Sequence, residues 1–126
     1  MVDVDLSERI AQTMRPRPRN KNCFLNAFRG LSAATRVTEQ TVYYVEGIAN
    51  GVIGHGWLET EDGRVIEVTP VWRAKPAATY EAVRRYTAAQ VVTALENRKG
   101  ATLPLVNLDE VVLTRWAPQL GAGSAN

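Results

Sequence analysis

This chain of 126 residues holds one cysteine and one histidine, Cys23 and His55, so any chemistry that pairs a thiol with a base falls to these two. A thiol attacks a carbonyl as the thiolate, which is favoured at a helix N-terminus and beside cations. Cys23 satisfies both conditions on sequence grounds. Asn22 is a good helix N-cap, and the apolar residues Phe24, Ala27, Phe28 and Leu31 recur at helical spacing behind it. Cys23 is therefore predicted in the first turn of a buried helix, among unpaired N–H groups, with Arg19, Lys21 and Arg29 nearby. His55 stands in Gly54-His55-Gly56-Trp57. Glycine weakens a strand interior, so its presence on both sides of His55 predicts a close approach by another backbone or a ligand.

A third group depends on register. The loop Glu61-Asp62-Gly63 fits a three-residue hairpin that ends in a left-handed glycine. Such a loop pairs Thr60 with Arg64 and Leu58 with Ile66, and sets Trp57 opposite Glu67 and His55 opposite Thr69. His55, Trp57 and Glu67 then share one face, with Glu67 diagonal to the imidazole. A two-residue turn would send Glu67 to the other face. Glu59 also shares the His55 face, but it lies four residues along the same strand, about 13 Å away, and is the poorer orienter.

The elements that must hold these residues can be read from periodicity. Ser7 is expected to cap a short helix through Met14, and Arg15-Pro-Arg-Pro-Arg19 cannot continue it because proline lacks the amide donor. After the helix of Cys23 come three alternating runs, 41–48, 54–60 and 64–69, which read as an antiparallel meander. Residues 80–85 form a fourth short strand. Thr87 and Gln90 make a capping box for a helix from Ala88 to Arg98, with Gly100 placed to end it. Residues 108–116 are open between a fifth strand and a last helical turn. The expected fold class is α+β, a single domain over residues 1–116 in which the nucleophile-bearing helix packs on an antiparallel sheet, with 117–126 as a flexible tail.

Composition narrows the functions. With 45% apolar and 22% charged residues, the chain can remove roughly two-thirds of its unfolded surface from water without staples. One cysteine forbids an intrachain disulfide and the usual structural zinc clusters, and no metal or cofactor is expected. No run approaches the ~18 apolar residues of a membrane span, and the start of the chain is acidic and polar, so a cytoplasmic protein without membrane contact is expected. Six of the fifteen basic residues lie between Ile10 and Thr38, where no acid occurs. Aromatic residues do not interleave with the Arg15–Lys21 run, so a solvated basic arm is expected rather than a nucleic-acid site.

Cys23-x-x-x-Ala27, then His55-x-Trp57-x-Glu59, then Val65-Ile66-Glu67-Val68-Thr69-Pro70, resembles the transglutaminase-like branch of the papain-like cysteine hydrolase superfamily over residues 20–72. The strand and capped helix of 80–92 resemble its small stand-alone members from bacteria and bacteriophages. The resemblance implies a papain-like core and a Cys23, His55, Glu67 triad. The sequence departs from the family in having Glu67 where Asp is usual, Gly56 where Ala is common, and no Gln a few residues before Cys23. The oxyanion donors are then expected to be the Cys23 amide with the Asn22 side chain or an amide of the Arg19–Asn22 approach. Trp57 and Trp72 are expected to cover the sheet before contacting substrate, with Trp57, beside His55, the candidate to shield the ion pair or to bind substrate.

The function expected on this basis is cysteine-dependent acyl transfer on a protein, peptide or other amide substrate: a thiol protease, amidase, deamidase or transglutaminase-like acyltransferase. The alternative is a non-catalytic protein-binding module on the same scaffold. The sequence names neither the substrate nor the oligomeric state.

Overall fold

A computed structural model describes residues 1–97 and 102–121, with 117–121 by backbone alone. Nine elements follow in order: α1 (Val4–Thr13), α2 (Cys23–Ala34), β1 (Val42–Ala49), β2 (Ile53–Thr60), β3 (Val65–Ile66), α3 (Pro70–Ala74), β4 (Tyr80–Tyr86), α4 (Ala88–Asn97) and α5 (Leu108–Gly121). The fold is mixed α+β. Its four strands form one antiparallel sheet in the order β3-β2-β1-β4.

Helix α2 lies on β1 and β2, with α1 and α4 beside it. The larger apolar cluster forms between these helices and one sheet face, where Ile10, Ala27, Tyr44, Leu58, Ile66 and Val91 are buried. Leu58 and Ile66 are cross-strand partners, as the three-residue hairpin requires. Gly63 has φ +83° and its N–H reaches the Thr60 carbonyl at 3.0 Å, while the Thr60 N–H donates to the Arg64 carbonyl at 3.0 Å. A residue bearing a Cβ would be strained at that φ, so Gly63 selects the hairpin that determines which face each β3 side chain takes. On the opposite face Val45, Trp57 and Val65 form a smaller cluster.

Several expectations are corrected. Asp3 rather than Ser7 caps α1: its carboxylate accepts the Leu6 N–H at 2.9 Å, and Ser7 lies inside the helix, fully buried. β3 ends at Ile66 instead of running to Thr69, because Pro70 opens α3 and the chain turns away from the sheet edge. The fourth strand, to which the sequence assigns no partner, crosses the sheet and pairs with β1. Residues 108–116, open between strand and helix in the sequence, take the helical alternative, with the Asn107 side chain accepting the Glu110 N–H at 3.1 Å. That helix continues to Gly121, past the expected tail boundary at 117. The rest of the expected tail, and Gly100 as the stop of α4, lie outside the described residues. The capping box of α4 forms in both directions, Thr87 N–H to Gln90 at 2.9 Å and Gln90 N–H to Thr87 Oγ1 at 3.1 Å.

Candidate active site

Cys23 is the first residue of α2 and is half-buried. The approach that delivers it is held by Asn26, whose side-chain amide donates to the Arg19 carbonyl at 2.6 Å and to Thr69 Oγ1 at 3.0 Å. One buried asparagine thus joins the segment before the nucleophile to the segment after β3. Gly56 sets the distance between helix and strand. A Cβ there would lie 2.7 Å from Phe24 Cδ1 and 3.0 Å from the Phe24 Cα, so the residue next to Cys23 rests on the bare backbone of the residue next to His55. The close approach that the glycines of β2 predict is the seating of α2 at Gly56 and of Leu108 from α5 at Gly54.

His55 is 1% exposed. Its Nε2 lies 2.6 Å from Glu67 Oε2, and the same carboxylate oxygen accepts the Tyr80 hydroxyl at 2.8 Å. Glu67 is equally buried, and its N–H donates to Ser7 Oγ at 2.9 Å. Helix α1 therefore holds the backbone of the residue that holds the histidine. A carboxylate at Nε2 retains a proton there and leaves Nδ1 as the basic nitrogen of the neutral ring. Nδ1 is buried without a partner at hydrogen-bonding geometry, while the Cys23 thiol is close enough to act on the ring. These two observations support proximity of thiol and imidazole without a formed S–H···N bond.

Burial opposes a charge on His55, but the hydrogen-bonding influence of Cys23 and of Glu67, with their negative charge, outweighs it, and the pKa is pushed up to about 9. Burial, then the charge of Glu67, pushes the Tyr80 phenol above its ordinary range, so it remains a donor to the carboxylate. Aromatic rings enclose the imidazole. Trp72 of α3 has its centroid 4.4 Å away, Trp57 stacks at 5.8 Å and Tyr80 is tilted at 6.3 Å.

No protein-family model, curated protein or solved structure matches this chain.

Of the residues singled out from sequence, the structure gathers Cys23, His55 and Glu67. It corrects two others. Trp57 has no exposed surface and cannot touch a substrate; its Nε1–H donates to Glu59 Oε2 at 2.9 Å, and Glu59 is held in turn by Arg85. It serves as a wall behind the imidazole. Asn22 makes no side-chain cap bond to α2; it is exposed, which leaves its amide available beside Cys23. The first-turn N–H groups of α2 have no intrahelical acceptor and point the same way.

Sequence reasoning misses Ser7, Trp72 and Tyr80. Their signals are ordinary, a helix serine and two scattered aromatics, and only the crossing of β4 and the turn into α3 bring them to the histidine. The role of Glu46 is likewise decided by the fold. That carboxylate is fully buried and accepts the Tyr44 hydroxyl at 2.6 Å and the N–H groups of Leu105 and Val106 at 2.7 and 2.8 Å. It fastens the segment before α5 to β1, and that segment lines a cavity of about 470 Å³ together with Phe24 and Gly54, the residues that adjoin Cys23 and His55 in sequence. Among the described residues no cluster of His, Cys, Asp and Glu is disposed to hold a metal ion, and no helix is long and apolar enough to cross a membrane.

Proposed function

We propose that the protein is a cysteine-dependent acyl-transfer enzyme built on a papain-like core, with Cys23 as nucleophile, His55 as general acid and base, and Glu67 as the group that orients His55. The observation that carries this reading is the buried Glu67–His55 contact on the strand against which the helix of Cys23 is seated.

The chemistry follows from those positions. The imidazole takes the thiol proton, and the thiolate attacks the carbonyl carbon of an amide to give a tetrahedral oxyanion. The Cys23 N–H and the exposed Asn22 amide are the nearest donors for that oxygen. Collapse of the intermediate breaks the C–N bond as the imidazolium returns its proton to the leaving nitrogen, and a thioester remains on Cys23. Neutral His55 then deprotonates the acceptor, water or an amine, which displaces the thiolate. Glu67 keeps its proton relationship with Nε2 throughout and holds the ring in plane. Trp72, half-buried over the ring, is better placed than Trp57 to cover a bound substrate.

The test is alkylation by iodoacetamide between pH 5 and pH 10. Cys23 is the only thiol, so every adduct reports on it. Reactivity that persists well below about pH 8, the range of an ordinary thiol, and is lost in His55→Ala is expected. An ordinary thiol profile, unchanged in His55→Ala, would overturn the proposal.

A further inference from the structure

A second cavity, of about 480 Å³, opens between the end of α1, the C-terminal half of α2 and the start of α4. Its volume falls in the range of ligand-binding clefts. Its floor is apolar and buried, with Met14 and Leu31 beside the half-buried Phe28. Its rim carries Arg15, Arg29 and Arg36, and among the described residues no acid lines it. None of the three arginines is ion-paired among the described residues. Arg15 donates to the Met14 carbonyl at 2.7 Å and Arg29 to the Pro16 carbonyl, contacts that orient a guanidinium without neutralising it. Arg36 stands exposed.

The rim is continuous with a basic track. From Arg15 the chain runs to Cys23 with Arg15, Arg17, Arg19 and Lys21 all exposed and Pro18 buried beneath them. The track is held to the domain, since Asn26 grips the Arg19 backbone and Asn20 Oδ1 accepts the Val71 N–H at 2.8 Å. Its six residue steps span at most about 20 Å, longer than one small ligand and matched to an extended peptide.

The geometry points to this cavity and track as the docking site for an acidic peptide segment that carries one large apolar side chain. The apolar side chain fills the floor against Phe28 and Leu31, and carboxylates on either side meet the arginine rim and the track. That the docked segment belongs to a substrate of Cys23 rests on the acyl-transfer reading; the docking itself does not. A nucleic acid would use the charges but not the apolar floor.

The experiment uses the Cys23→Ser protein and a fluorescein-labelled dodecapeptide of Glu and Ser with one central Leu, read by fluorescence anisotropy. Arg36→Glu and Val92→Glu alter the rim and mouth at exposed positions, Val92 being 43% exposed, so the fold is retained and circular dichroism checks it. Binding is expected to weaken at least tenfold in each variant, at least tenfold when the Leu is replaced by Ser, and to disappear for the peptide with Lys in place of Glu. Equal binding of the Leu and Ser peptides, insensitivity to both variants, or equally tight competition by a dodecathymidylate would overturn the docking site. Failure here leaves iodoacetamide reactivity of the wild-type thiol unaffected, so the two readings fall separately.

Discussion

Glu67 Oε2 meets His55 Nε2 at 2.6 Å although the two residues come from opposite arms of a hairpin, and each side chain is 1% exposed. A pair this buried is costly to leave half-made, since a lone charge in that place has neither water nor partner. Tyr80 shares the burden by donating to the same oxygen. The arrangement is a histidine held at one nitrogen and left basic at the other, next to a thiol.

Removing the carboxylate charge separates orientation from packing. Glu67→Gln keeps the volume and is expected to slow iodoacetamide reaction at pH 6 by roughly a hundredfold, within the range of positioned acid–base groups. Tyr80→Phe removes one hydrogen bond to Glu67, a change of about 1 kcal/mol, and is expected to slow it by about fivefold. Stopped-flow alkylation measures both. Equal rates in wild type and Glu67→Gln would show that Glu67 does not act through His55.

The pKa of His55 makes a stability prediction. The folded protein holds the imidazole proton up to about pH 9, whereas an unfolded chain releases it near 6.5. The stabilisation is therefore fully present below about pH 6.5 and is lost as pH rises through about 9, by up to about 3 kcal/mol. Urea denaturation of wild type and His55→Asn at pH 6 and pH 10 is expected to show a gap between the two proteins that narrows at high pH. A gap independent of pH would contradict the raised pKa.

The Gly56 contact predicts intolerance of one methyl group. In Gly56→Ala the new carbon meets the Phe24 ring at 2.7 Å and the Phe24 Cα at 3.0 Å, and the backbone atom cannot give way without shifting the first turn of α2. A loss of about 1–3 kcal/mol is expected from this overpacking, together with slower alkylation of Cys23 as the first turn of α2 shifts. Alanine at Gly54 meets only the Leu108 side chain, nearest atom at 3.1 Å, and is expected to cost less. Equal stability of the two variants by thermal denaturation would count against this account.

Glu46 anchors three donors with one carboxylate, and burial, then that carboxylate, push the Tyr44 phenol well above its ordinary range. Glu46→Ala removes the carboxylate that accepts from a phenol and two backbone N–H groups, and a loss of at least about 3 kcal/mol is expected. Limited proteolysis is expected to cut near Leu105 faster in Glu46→Ala than in wild type. Unchanged cleavage would show that the segment is held by other contacts.

How much of this was legible in the sequence varies by residue. Gly63 announces a left-handed turn, and that one local constraint places Glu67 on the His55 face; the ladder from Leu58 and Ile66 agrees with it. Asn22 and the helical spacing behind it place Cys23 at a helix start, although the Asn22 side chain makes no cap bond. The Thr87–Gln90 box is equally local. Ser7 is not legible in this way, because a serine can cap a helix or be buried in one, and the choice depends on Asp3 and on Glu67, sixty residues away.

The sequence by itself determined the inventory and the local turns: one thiol, one imidazole, a helix start, a hairpin register and an unbalanced stretch of positive charge. These are short-range properties, set by backbone conformational limits and by neighbours a few residues apart. Tertiary structure alone decided which groups surround the pair. β4 pairing with β1 brought Tyr80 to Glu67, the early end of β3 turned Trp72 over His55, and α1 delivered Ser7 to the Glu67 backbone. Such contacts depend on how whole elements bury their apolar faces against one another, and no local spacing encodes that choice.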